Sequence, residues 1–98
     1  MKMFETDTLQ IKKFCEKNRI CKLAFFGSAV RKDFTPNSDI DVLVEFIEGH
    51  KPGYQFFAME NELSRLLGRK VDLETVGFLS PKIRDHVLSE AVVAYEQA

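Results

Sequence analysis

Residues 26–46 read Phe26-Gly27-Ser28-Ala29-Val30-Arg31-Lys32-Asp33-Phe34-Thr35-Pro36-Asn37-Ser38-Asp39-Ile40-Asp41-Val42-Leu43-Val44-Glu45-Phe46. The apolar run from Ile20 to Phe26 predicts a strand that stops at Gly27-Ser28, where Ser28 can cap one short helical turn through Arg31. Thr35-Pro36-Asn37-Ser38 is dense turn chemistry. Asp39 to Phe46 then alternates as a second strand, with Ile40, Val42, Val44 and Phe46 on one face. Ten residues separate Ser28 from Asp39. The turn among them folds the second strand back beside the first and sets Gly27-Ser28 near the carboxylates of Asp39 and Asp41.

Working outward, Leu9, Ile11, Phe14 and Cys15 form a helical stripe ending near Asn18, with Asp7 and Gln10 as a capping pair. After Gly49, Pro52 and Gly53, a second helix is predicted over Tyr54–Leu67. Phe57, Leu63, Leu66 and Leu67 are its expected core stripe, and Gly68 is its natural stop. Lys70 to Val76 reads as a third strand. Ser80-Pro81 opens a third helix, Ser as cap and Pro at the first position, running to about Ser89. Ala91 to Glu96 closes as a short strand. This order predicts an α/β (α+β) class, a mixed sheet of about four strands flanked by helices. With no repeat, linker or low-complexity tract, residues 1–98 read as a single domain.

Composition narrows the function classes. The 98 residues are 45% hydrophobic and 30% charged, ordinary for a folded domain. Fourteen Lys and Arg against fifteen Asp and Glu give a net charge of −1, which argues against direct nucleic-acid binding by a basic face. The longest apolar run, Ala91–Tyr95, is five residues, far short of a membrane span. The first residues carry no secretory signal pattern, so a cytoplasmic location is expected. Cys15 and Cys21 match neither a zinc nor a disulfide pattern and read as small apolar fillers. His50 and His86 lie far apart, without ligand spacing. Residues 33–50 hold five acids and no Lys or Arg. Most of them read as a solvated face, with Asp39 and Asp41 as exceptions.

Asp39 and Asp41 are two apart on a strand and so share a face, where their charges repel unless a cation intervenes. A hard divalent ion such as Mg²⁺ suits such oxygen ligands and keeps positions open for phosphate and water. Two other origins of an Asp-x-Asp pair fit poorly, while a chance surface pair stays open on these two residues alone. A calcium loop of the EF-hand type needs glycine at its sixth position, where Val44 stands, and an aspartyl-phosphate enzyme places the pair after its apolar strand. Gly27 allows close backbone approach to a ligand, and Ser28 adds a hydroxyl and the N–H groups of a helix start, donors suited to phosphate. Arg31 lies one turn beyond and can face the same side. Asp72, between the core-facing Val71 and Leu73, points to the opposite face as a third ligand or a base for an incoming hydroxyl.

Gly27-Ser28-Ala29-Val30-Arg31-Lys32-Asp33, followed after four residues by Ser38-Asp39-Ile40-Asp41-Val42-Leu43-Val44, resembles the signature of the minimal nucleotidyltransferases (MNT) of the DNA polymerase β superfamily. Gly68-Arg69-Lys70-Val71-Asp72-Leu73 is similar to the family's later segment carrying a third carboxylate. The stretch from Ser80-Pro81 to Tyr95 resembles its C-terminal helix and strand. The resemblance implies that Asp39, Asp41 and Asp72 form a catalytic triad holding Mg²⁺, in two ions, and that Gly27 and Ser28, with Arg31, bind the nucleotide ATP.

Stand-alone MNT proteins resemble antitoxins paired with a helical HEPN-domain toxin, to which they can transfer AMP from ATP at a tyrosine. On that resemblance the chain is a Mg²⁺-dependent nucleotidyltransferase acting on a protein hydroxyl within a hetero-oligomer. Two other readings are a nucleotide-binding module that neutralises its partner by contact, and an enzyme that modifies a small molecule. The family's larger members carry a further domain for the acceptor, so the acceptor is expected on another protein. Ala91–Tyr95 and the outer side of the second helix are candidate docking surfaces, with Tyr95 itself expected to pack at the strand edge.

Overall fold

A computed structural model describes residues 8–30, 39–49 and 52–97. Helix α1 (Thr8–Lys17) leads into strand β1 (Ile20–Phe26), which ends in a 3₁₀ turn over Gly27–Val30. Strand β2 (Ile40–Phe46) follows, then helix α2 (Gln55–Leu67) and strand β3 (Val71–Thr75). A short 3₁₀ turn, Val76–Phe78, precedes helix α3 (Pro81–Glu90) and strand β4 (Val92–Glu96). The sheet order is β3-β2-β1-β4. β1 runs antiparallel to both β2 and β4, while β2 and β3 are parallel. Adjacent parallel strands need a crossover connection, which α2 supplies. The mixed sheet and its order agree with the α/β (α+β) expectation.

One face of the sheet carries the core. Ile40, Val42 and Val44 of β2, Leu23 and Phe25 of β1, and Val71 and Leu73 of β3 pack against Ile11, Phe14 and Cys15 of α1 and Met59 and Leu63 of α2. Ile11, Phe14 and Cys15 fall at the i, i+3, i+4 spacing of one helix face. Phe46, Leu66, Leu67 and Tyr95 pack at the margin of this cluster, and Lys17 pairs with Glu62 between the two helices.

The α2 stripe differs from the expected one at Phe57, which is 66% exposed. At 100° per residue Phe57 lies on the side of the helix opposite Met59 and Leu63. Phe56 takes the inward place instead, tilted against Phe46 with ring centroids 6.5 Å apart. Gly68 ends α2 in the left-handed conformation at φ 72°, as expected. Ser80 occupies the N-cap position of α3 without a side-chain capping bond; its carbonyl accepts from the Arg84 N–H at 2.9 Å. Strand β2 begins at Ile40, one residue after the expected start. Asp7, the Thr35–Ser38 turn and His50 lie outside the described residues.

β3 is an edge strand, and α2 closes part of its outer side. The Leu73 N–H donates to Glu60 Oε2 at 2.9 Å and the Val71 N–H to Ser64 Oγ at 3.0 Å. The Ser64 hydroxyl donates in turn to the Glu60 carbonyl at 2.8 Å. These bonds occupy donors that would otherwise template pairing with another chain.

Two outcomes follow from this packing. Leu63 is fully buried, so Leu63→Ala is expected to lower unfolding free energy by about 2–5 kcal/mol in urea titration, from lost burial and the cavity left. Burial, with a smaller contribution from Glu16, pushes the Cys15 thiol up to about 12. Native protein at pH 8 should therefore leave Cys15 unalkylated by iodoacetamide, and denatured protein should not.

Candidate functional site

The sheet's second face collects acidic side chains where the first collects apolar ones. Along β2 the buried Ile40 and Val42 flank a half-buried Asp41. Along β3 the buried Val71 and Leu73 flank an exposed Asp72. The parallel β2–β3 register sets Asp41 directly beside Asp72 and Leu43 beside Glu74. Side chains at paired positions of neighbouring strands emerge on the same face. Two of the three expected carboxylates are thereby brought to adjacent positions, and Glu74 lies one strand period further along.

Asp39 leads into β2 and is exposed; its carboxylate lies 4.0 Å from Lys70 Nζ. The adjacent backbone is tied down, because the Ile40 N–H donates to the Lys70 carbonyl at 2.9 Å. So the segment carrying Asp39 is anchored to the strand carrying Asp72.

The antiparallel β1–β2 register places Phe26 opposite Asp41, and Gly27 follows at φ 65°. A Cβ built on Gly27 would stand 2.2 Å from Asp41 Oδ2 and 3.1 Å from its Cγ. Glycine is required here twice: for the left-handed backbone and for the space the carboxylate fills. Gly27-Ser28 thus opens the 3₁₀ turn directly beside Asp41, as expected. Arg31 lies outside the described residues, and of Ser28 the structure describes the backbone in that turn.

Two acidic residues enter the neighbourhood without having been singled out from sequence. Burial first, and then the charges of Asp72, Asp41 and Glu60, push the Glu74 carboxyl above the usual carboxylate range. Its spacing from Asp72 was the available signal, masked by the more familiar Asp-x-Asp. Glu90, at the end of α3, accepts the Gly27 N–H at 3.1 Å through Oε1. A partner 63 residues away leaves no local trace in the chain.

Carboxylates crowded on one face favour a cation among them, and all-oxygen donors are the set that a hard divalent ion takes. The chemistry of Asp39, Asp41 and Asp72 fits such an ion. Among the described residues, no three His, Cys, Asp or Glu side chains already converge as a metal-binding group. A glycine turn beside strand-borne carboxylates, on a mixed sheet with a β2-α2-β3 crossover, is the arrangement that the resemblance to minimal nucleotidyltransferases implies.

Residues 9–94 match the family described as nucleotidyltransferase domain, and the chain belongs to that family. It is similar to the protein adenylyltransferase MntA of Thermococcus cleftensis, 35% identical over 85 residues that cover 87% of this chain and 85% of MntA. MJ0128 of Methanocaldococcus jannaschii, a candidate protein adenylyltransferase by name, is 43% identical over 79 residues, 79% of each chain. Among solved structures, a candidate minimal nucleotidyltransferase superposes with TM-score 0.78 at 28% identity, covering 93% of this chain and 92% of its own. The fold is shared with an MNT antitoxin in complex with a tri-AMPylated HEPN toxin of Shewanella oneidensis (TM-score 0.68, 18% identity, 95% of this chain and 72% of that one). A toxin–antitoxin structure with AMP-PNP shares it as well (TM-score 0.75, 20% identity, 93% of this chain and 74% of that one).

Gly27→Ala tests the turn. The left-handed backbone alone should lower stability by about 1–2 kcal/mol in urea titration, and displacement of Asp41 should add to that. A variant as stable as the parent would show that the turn does not hold Asp41 in place.

Proposed function

We propose that the chain transfers AMP from ATP to a hydroxyl of another protein, a tyrosine of a helical HEPN-type toxin, as the antitoxin of the pair. It would do so as a single nucleotidyltransferase domain. The observation that carries this reading is the register of Asp41 and Asp72 on adjoining strands, with the Asp41 carboxylate seated over Gly27. The adenylyltransferase name of the Thermococcus relative and the AMPylated toxin bound to the Shewanella antitoxin support it.

Asp39 and Asp41, completed by Asp72, would hold Mg²⁺. When bound, Mg²⁺ supplies charge neutralisation at the phosphates and stabilises the attacking and leaving oxygens. The Gly27–Ser28 turn would receive the triphosphate through backbone N–H groups and the Ser28 hydroxyl, donors suited to anionic oxygen. The acceptor hydroxyl attacks the α-phosphorus, its oxygen forming the new P–O bond while the bond to the β-phosphate oxygen breaks. Asp72 takes the hydroxyl proton, and pyrophosphate departs with Arg31 offsetting its charge.

Transfer also needs the acceptor held within about 3–3.5 Å of phosphorus. Among the described residues, the two expected docking surfaces both expose apolar side chains: Tyr54, 93% exposed, with Phe57 on the outer side of α2, and Val92 and Val93 on edge strand β4. Tyr95 packs against the core margin, in keeping with a packing role.

With labelled ATP, Mg²⁺ and a HEPN-type toxin, label is expected on the toxin. Asp41→Asn should weaken Mg²⁺-ATP binding in calorimetry, and an unchanged affinity would remove Asp41 as a ligand. Asp72→Asn should slow transfer by about 10²–10⁴-fold, the scale of a lost general base, with a smaller effect on binding. Equal loss of binding in both variants would make Asp72 chiefly a metal ligand.

A further inference from the structure

The hydrogen bond between Gly27 and Glu90 joins two distant parts of the chain at the turn assigned to the triphosphate. Its placement follows from the sheet. In the β1–β4 ladder Ala24 pairs with Val93 and Phe25 with Val92. Two residues further along β1, the same antiparallel register brings Gly27 opposite Glu90. There β4 has given way to the last residue of α3. The Glu90 side chain supplies the acceptor in place of a strand carbonyl, with Oε1 at 3.1 Å from the Gly27 nitrogen. The Glu90 side chain is 20% exposed, and Oε2 lies 3.6 Å from His86 Nε2, one helical turn back.

Gly27 is consequently held from two sides: the Asp41 carboxylate fills the space over its α-carbon, and Glu90 takes its N–H. A left-handed residue at a strand end, with no side chain of its own to pack, relies on such external partners to keep one conformation. We propose that Glu90 is a positioning residue that anchors the Gly27–Ser28 turn in the shape that receives the nucleotide phosphates. It acts through Gly27, whose N–H it accepts. This rests on the nucleotidyl-transfer reading of the site for its consequence and on the structure for its contact. The opposite role is also chemically defined. A carboxylate on a phosphate-binding turn could compete with the phosphate, and its removal would then tighten nucleotide binding.

Glu90→Ala and Glu90→Gln separate these roles, with ¹⁵N-detected amide exchange read beside calorimetry of Mg²⁺ with a non-hydrolysable ATP analogue. Glu90→Ala is expected to speed exchange at the Gly27 amide while the core amides of Leu23 and Val42 keep their protection. It should weaken analogue binding by about 10- to 100-fold, the scale of one hydrogen bond to a charged group, and leave KM for the protein acceptor unchanged. Glu90→Gln keeps an acceptor oxygen and should restore most of both effects. Unchanged Gly27 exchange in Glu90→Ala, unchanged or tighter analogue binding, or failure of Glu90→Gln to restore would each overturn the proposal. Loss of core protection in both variants would overturn it as well, by making Glu90 a general structural residue. If the unsubstituted protein binds no analogue while Gly27 exchange responds to Glu90 as described, the anchoring stands and the nucleotidyl-transfer reading fails.

Discussion

Asp41 Oδ2 occupies the space that any side chain at position 27 would need, 2.2 Å from the site of its Cβ. This close packing of a carboxylate on a bare α-carbon ties the turn proposed to bind phosphate to the strand proposed to bind metal. It depends on β1 and β2 pairing so that Phe26 faces Asp41, which in turn depends on the alternation that buries Ile40, Val42 and Val44. A slip of one residue would send those apolar side chains to the opposite face and Asp41 into the core. The register that makes the core is the register that makes the site.

The same division explains where the electrostatic cost falls. Placing Asp41, Asp72 and Glu74 on one face brings like charges together, and partial burial first, with those charges second, raises the Glu74 carboxyl. The opposite face buries apolar side chains from three strands and two helices, and that burial offsets the repulsion. β3 is pinned in register by Glu60 and Ser64 of α2 through the Leu73 and Val71 N–H groups, the residues on either side of Asp72. Helix, strand edge and carboxylate form one connected arrangement. On the other side of the sheet, β4 and the end of α3 complete it through Glu90.

Much of this was legible in the chain. Alternation in Ile40–Phe46 and Val71–Leu73 set which carboxylates would leave the core, and the break at Gly27-Ser28 set where β1 would stop. The α2 stripe departs from the expected one at Phe57 because a helix with apolar residues at 56, 57 and 59 offers more than one face, and packing against Phe46 chooses Phe56. Ser80 looks like a side-chain cap by residue type, yet its carbonyl, not its hydroxyl, meets the first turn of α3. Glu90 and Glu60 could not be found by pattern. Each acts on a backbone N–H far along the chain, and sequence spacing carries no record of a bond formed by tertiary packing.

The proposed role of this carboxylate-lined face is to join a nucleotide to a protein. Its most direct test is the intact mass of a HEPN-type partner purified after coexpression with this chain and, separately, with its Asp41→Asn variant. The partner is expected to be heavier by whole adenylyl units, mapped to tyrosine, with the parent chain, and unmodified with the variant. An unmodified partner in both cases, bound and neutralised all the same, would contradict it.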